Sequence, residues 1–92
     1  MAFEPLQSRR FARQYKKLQD NVATDVDHAV EAVCLDPHGG ERKKGDLVKL
    51  WVYQFNSQEQ LYLLGYTLDE GVKLVYLEAI GSHENFYRDL KR

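Results

Sequence analysis

Three apolar runs in the second half of the chain limit its fold more than any other feature. They span residues 47–55, 61–68 and 72–80 and are rich in Val, Leu, Tyr, Trp and Phe, residue types that favour β-strands. Turn-forming residues separate them at 56–59 and 69–71. Because short turns join antiparallel neighbours, the runs are expected to form three consecutive strands of one sheet.

Two amphipathic helices are predicted before these strands. Ser8 is a candidate N-cap, and the apolar stripe that follows it has helical spacing, with basic residues on the other side. A second stripe follows an interruption at 20–21 and ends near Leu35, because Pro37 disfavours helix in the residue before it. The two helices are expected to form a hairpin. The stripes consist of Phe11, Tyr15 and Leu18, and of Val22, Val26, Ala29, Val30 and Val33.

The remaining segments complete an α+β pattern. Residues 2–7 fit a short edge strand, since Pro5 excludes a central one. Residues 38–46 form a glycine-rich charged loop, and 83–91 a short terminal helix that Phe86 packs on the sheet. The predicted order is β-α-α-β-β-β-α, a twisted antiparallel sheet with the helical hairpin packed on one face and a short C-terminal helix. A length of 92 residues fits a single domain, residues 1–92.

Composition and charge exclude several classes of protein. One cysteine allows no internal disulfide framework and no cysteine-rich zinc site, and it fits a reducing cytosol. No apolar run approaches the ~20 residues of a membrane-spanning helix, and the N-terminus has no signal-peptide pattern, so a cytoplasmic location is expected. The net charge of −1 does not mark a nucleic-acid-binding protein, although basic residues concentrate in 1–19 and acidic ones in 20–36.

Three stretches of the sequence resemble one known family. They read FARQYKKL at 11–18, GERKKGDLVKLWVYQF at 40–55 and GSHENFYRDLKR at 81–92. With the order of elements, they resemble the RelE/ParE superfamily of bacterial type II toxins. The Gly-x-His-x-x-x-aromatic pattern of the last stretch is similar to that of YafQ-type ribonuclease toxins. The resemblance implies a small cytosolic toxin blocked by an antitoxin. Most RelE-like members cleave mRNA in the ribosomal A site without a metal, whereas ParE-like members poison DNA gyrase.

The residues that fit metal-free RNA cleavage come from the loop and from the end of the chain. Such cleavage needs a base for the 2′-hydroxyl proton, an acid for the leaving 5′-oxygen and positive charge near the phosphate. His83, at the expected start of the last helix, is the candidate base or acid, and Tyr87 lies on the same helical face. Lys43 and Lys44 in the loop are candidate cations for the transition state. Further residues expected to contact RNA are Arg42, Lys49, Arg88, Lys91 and Arg92.

No metal or other cofactor is expected. The three histidines, His28, His38 and His83, lack a recognised metal-ligand spacing. The partners that the resemblance implies are a cognate antitoxin protein and the ribosome with its mRNA, or DNA gyrase in the ParE-like case.

One departure from the family pattern keeps other functions open. RelE-type nucleases usually carry arginines on the middle strands, where this chain has Gln54 and Leu63. The alternatives are a ParE-like inhibitor of DNA gyrase without catalytic activity, and a degenerate toxin that only binds its antitoxin. In the ParE-like case His83 would be structural, and the helical hairpin would carry the activity.

Overall fold

The computed structural model of the protein describes residues 2–43 and 49–90. The elements in these ranges are β1 (Glu4–Gln7), α1 (Arg9–Lys16), α2 (Asp20–Leu35), a 3-10 turn (Pro37–Gly39), β2 (Glu41–Arg42), β3 (Trp51–Ser57), β4 (Gln60–Asp69), β5 (Leu74–Ser82) and α3 (His83–Leu90). None of the helices in the described ranges is long and apolar enough to cross a membrane.

The strands form one sheet in the order β1-β5-β4-β3-β2. The predicted antiparallel pairing of β3 with β4 and of β4 with β5 is confirmed. The prediction of a wholly antiparallel sheet is wrong at one edge, because β1 pairs parallel to β5. Backbone bonds extend this pairing at both ends, since Glu4 N–H donates to Lys73 O and Ser8 N–H donates to Leu77 O. The sheet is therefore mixed, and Pro5 is accommodated in its edge strand.

A second, very short edge strand lies within the predicted loop at 38–46. Glu41 and Arg42 pair antiparallel with the start of β3. Just after them, Lys43 N–H donates to Leu50 O at 2.8 Å. These backbone bonds fix Lys43 beside the sheet, so the part of the loop that carries the first predicted cation is ordered by β-pairing.

The helical hairpin covers one face of the sheet, as predicted. α1 begins after the predicted cap, where Ser8 Oγ accepts a hydrogen bond from Phe11 N–H at 3.0 Å and donates one to Glu78 O at 3.1 Å. The second of these bonds joins the start of α1 to β5. Buried residues between the hairpin and the sheet include Phe11, Val22, Val26, Ala29, Val33, Leu64, Tyr66, Val75 and Leu77.

The third helix packs on the opposite face of the sheet. Phe86, only 2% exposed, is the buried residue of α3 and packs on the sheet, which confirms its predicted role; Tyr87 and Leu90 pack beside it. Gly65 in β4 lies beneath the ring, and a Cβ at that position would be 2.7 Å from Phe86 Cζ. The missing side chain at Gly65 therefore lets the ring approach the strand closely. The buried residues around Phe86 are Leu50, Val52, Leu63 and Ala79.

Tyr66 ties the connection between α2 and β2 to the core. Its side chain is fully buried, and its hydroxyl donates to Pro37 O at 2.7 Å. We expect Tyr66→Phe to lower the free energy of unfolding by about 1–3 kcal/mol, because it leaves a buried carbonyl without a donor. Urea unfolding at pH 7 measures this loss.

The free energy of unfolding is expected to depend on pH because of the same hydroxyl. Burial raises the pKa of Tyr66 from 10.0 to about 12, so folding favours the neutral phenol. This contribution to stability is fully present below pH 10 and is lost as the pH rises through about 12. The wild type should therefore lose stability more steeply than Tyr66→Phe over this range, and parallel curves for the two proteins would contradict the assignment.

Candidate functional site

Two of the four predicted catalytic residues are in contact on the α3 face of the sheet. Lys43 Nζ lies 5.5 Å from the centroid of the Tyr87 ring, within the range of a cation–π interaction. The same ammonium lies 3.2 Å from Glu41 Oε1. Lys43 follows edge strand β2 and Tyr87 lies in α3, so this contact joins the two elements.

The environment of Lys43 keeps it charged. The Tyr87 hydroxyl, and then Glu41, raise the pKa of the Lys43 ammonium above its ordinary value of 10.5. The Lys43 side chain is 24% exposed, so it is held against the protein rather than extended into solvent. A fixed ammonium with three N–H donors is suited to binding a phosphate oxygen.

His83 lies at the start of α3, one helical turn before Tyr87. Four helical residues rise about 6 Å, so the two side chains are neighbours along one face of the helix. His83 is exposed and, within residues 2–43 and 49–90, makes no side-chain hydrogen bond or ion pair. Its imidazole is therefore on the exposed surface of the helix. A shallow cavity of about 280 Å³ adjoins it, lined by Glu59, Gln60, Leu61, Ser82, His83 and Glu84.

Arg88 is exposed on the last turns of α3 and is engaged within its own helix. Its Nη2 donates to Asn85 Oδ1 at 2.7 Å, and its Nε lies 3.8 Å from Asp89 Oδ1. A phosphate would therefore have to compete with these two neighbours. Three other predicted site residues, Lys44, Lys91 and Arg92, lie outside the described residues.

The structure separates Arg42 and Lys49 from this site. Successive side chains of a strand point to opposite faces, so Arg42 points away from the face that Glu41 and Lys43 share. Arg42 and Lys49 instead line a cleft beside Trp51. The predicted set of RNA-contacting residues is thus divided between two sides of the edge strand.

The two middle-strand positions at which the resemblance leads us to expect arginine, Gln54 and Leu63, add no positive charge to the α3 face. Leu63 is 1% exposed and belongs to the cluster beneath Phe86. Gln54 is exposed on β3 and is uncharged. Glu41, the partner of Lys43, is not among the predicted site residues. Its spacing of two residues from Lys43 is the signal, because it places both side chains on one face of a strand.

A comparison with protein families matches almost the whole chain. The profile of the ParE-like toxin of type II bacterial toxin–antitoxin systems matches residues 6–91. The chain belongs to this toxin family. The predicted membership of the RelE/ParE superfamily is therefore confirmed, and the protein is a type II toxin of that superfamily.

Solved toxin structures share the fold of this ParE-like toxin. A chain of the RelBE2 toxin–antitoxin complex from Mycobacterium tuberculosis aligns with this protein with a TM-score of 0.78 and 16% sequence identity. The alignment covers 90% of this protein and 100% of that chain. A mutant of the Escherichia coli toxin RelE in the free state gives a TM-score of 0.77 and 18% sequence identity. This alignment covers 99% of the present protein and 92% of the RelE chain.

A third structure, the intact E. coli RelBE toxin–antitoxin complex, gives a TM-score of 0.72 and 18% sequence identity. The alignment covers 87% of the present protein and 95% of the matching chain in the complex. At these identities the likeness establishes the fold, and it confirms the predicted RelE-like architecture. No curated protein matches the toxin in a comparison of sequences.

Proposed function

We propose that the toxin is a metal-independent, ribosome-dependent mRNA endonuclease that cleaves by attack of the RNA 2′-hydroxyl. The observation that carries this proposal is the fixed Lys43 ammonium beside Tyr87, with an accessible imidazole one helical turn away. Lys43 supplies the positive charge that the reaction needs near the phosphate, and His83 supplies one of its two proton-transfer groups.

Each group has a distinct part in the proposed reaction. A base takes the proton of the 2′-hydroxyl, the 2′-oxygen attacks the neighbouring phosphorus, and the bond from phosphorus to the 5′-oxygen breaks. An acid then returns a proton to the 5′-oxygen, leaving a 2′,3′-cyclic phosphate. His83 serves as the base or the acid. Lys43 stabilises the charge that develops on the phosphate. Tyr87 stacks on a nucleobase of the RNA or orients it.

We also propose a cognate antitoxin as the toxin's protein partner. Relatives with this fold have been crystallised as RelBE toxin–antitoxin complexes. An antitoxin that covers α3 would block His83 and Tyr87 together, because both lie on this one helix.

Primer extension on a defined message in a purified translation system tests the proposed nuclease activity. We expect discrete cuts with the wild type that His83→Ala abolishes, because the proton carrier is lost. His28→Ala is the matched control, since it removes an exposed imidazole from α2. Cuts that persist in His83→Ala would contradict the role of His83, and an intact message with the wild type would contradict the nuclease.

Inhibition of DNA gyrase is the second candidate function. It is favoured by the ParE-like profile and by the uncharged Gln54 and Leu63 on the middle strands. Under this alternative, the wild type leaves the message intact, gyrase accumulates cleaved DNA, and His83→Ala retains full toxicity.

A further inference from the structure

A small cleft lies behind the candidate active site, on the other side of β2. Its volume is about 210 Å³, and it is lined by Arg42, Lys49, Trp51, Thr67, Leu68 and Glu70. Arg42 is opposite Trp51 in the β2–β3 register, and Trp51 and Leu68 pack against the core on the hairpin side of the sheet. The cleft and the Lys43–Tyr87 contact thus lie back to back across one edge strand.

Trp51 in this cleft is held in place by two other rings. Tyr66 is stacked against it, with ring centroids 6.4 Å apart and an interplanar angle of 18°. His38 meets it edge-on, with centroids 5.4 Å apart. Tyr66 is itself fixed by its bond to Pro37 O. The half-buried indole is therefore a rigid aromatic surface with part of its area exposed to solvent.

The charges around the indole are arranged asymmetrically. Arg42 and Lys49 are both exposed beside it. Within residues 2–43 and 49–90, Lys49 takes part in no ion pair. Among the described residues that line the cleft, the carboxylate is that of Glu70, whose Oε1 lies 2.9 Å from His38 Nε2 in the 3-10 turn. The lining therefore combines two cations, Arg42 and Lys49, with a carboxylate that already has a neighbour in His38.

We propose that this cleft binds one nucleotide of single-stranded RNA, with its base stacked on Trp51 and its phosphate at Lys49 and Arg42. An aromatic platform flanked by cations is the common arrangement for binding single strands. The cleft is smaller than pockets for drug-sized ligands, which suits one unstacked base. The proposal rests on RNA being the substrate. A strand crossing the β2 edge would then place one nucleotide at Trp51 and another near Lys43.

The single tryptophan makes the test direct, because Trp51 is the only tryptophan in the chain. The full-length toxin is titrated with a single-stranded oligoadenylate of about ten nucleotides while tryptophan emission is recorded. We expect saturable quenching as a base stacks on the indole. Lys49→Gln should weaken binding and reduce the slope of log K against log salt by about 0.7.

Lys73→Gln is the matched control, because Lys73 is an exposed lysine at the opposite edge of the sheet, beside β1. Anisotropy of a labelled oligoadenylate extends the test to the indole itself. Trp51→Leu should bind about tenfold more weakly than the wild type, whereas Trp51→Phe retains an aromatic face and most of the affinity. If Trp51→Leu does not fold, Lys49→Gln still tests the proposal, because Lys49 is exposed and its substitution should not prevent folding.

The outcomes separate this proposal from the nuclease itself. Absence of quenching, an equal loss of affinity in the Lys49 and Lys73 variants, or equal quenching by duplex DNA would overturn the nucleotide cleft, even if the toxin cuts mRNA. Saturable, Lys49-dependent quenching without mRNA cleavage would support the cleft and contradict the nuclease.

Discussion

Replacing Lys43 with Gln is expected to slow mRNA cleavage by about 10²–10³-fold. The Lys43 ammonium is the cation that the structure fixes beside Tyr87, and glutamine cannot supply charge to the phosphate in the transition state. Stability should change by less than about 1 kcal/mol, because the ion pair with Glu41 is near the surface. Single-turnover cleavage in a purified translation system, with urea unfolding alongside, measures both quantities.

Two variants control for the loss of one positive charge. Lys43→Arg keeps the charge and should retain most of the activity, whereas Lys73→Gln removes a lysine from the opposite sheet edge and should leave cleavage unchanged. The raised pKa of Lys43 adds a pH criterion. Since the ammonium titrates above pH 10.5, loss of activity at lower alkaline pH must come from another group. Equal rates for Lys43→Gln and the wild type would remove Lys43 from the mechanism.

The elements that sequence analysis predicts well are those with a long local pattern. The second apolar stripe predicts a helix ending near Leu35, and α2 spans Asp20–Leu35. Its position predicts that Ser8 caps the first helix, and the Ser8 hydroxyl accepts the bond from Phe11 N–H. Such features depend on residues close in sequence, so periodicity and capping preference are sufficient to find them.

The errors concern contacts between residues distant in sequence. β3 extends to Ser57, two residues beyond its predicted end. There the Ser57 hydroxyl donates to Asp25 Oδ2 in α2 at 2.7 Å. The predicted four-residue turn is therefore shortened to Gln58 and Glu59, both with positive φ. A serine in a turn-like sequence gives no sign of such a partner 32 residues away.

The sequence predicts which residues are candidates for the site, but it does not predict how they are arranged in space. His83, Tyr87 and Lys43 come from two motifs, and the structure brings Lys43 to Tyr87 through β2. A two-residue strand has too few positions to show alternation. The spacing of Glu41 and Lys43 therefore indicates a contact on one face, with Arg42 on the other, only once β2 is known to be a strand. Family resemblance found the catalytic candidates, whereas the division of the cations between two faces required the sheet.

Phe86→Ala is expected to lower the free energy of unfolding by about 3–5 kcal/mol. The ring is 2% exposed and is the buried residue by which α3 packs on the sheet. Because His83 and Tyr87 lie on the same helix, cleavage should fall even in the fraction that stays folded. Urea unfolding measures the stability, and cleavage per folded molecule measures the displacement of α3. Phe86→Leu should recover most of both.

A double-mutant cycle with Gly65 shows whether the loss arises where the helix rests on the sheet. A Cβ at Gly65 would be 2.7 Å from Phe86 Cζ, so Gly65→Ala alone must displace the ring and destabilise the protein, by about 1–3 kcal/mol. In the Phe86→Ala background the ring is absent, and the same substitution should cost little. This coupling is expected because the two residues touch. Additive losses, or a Phe86→Ala protein as stable as the wild type, would mean that α3 is not held on the sheet by this ring.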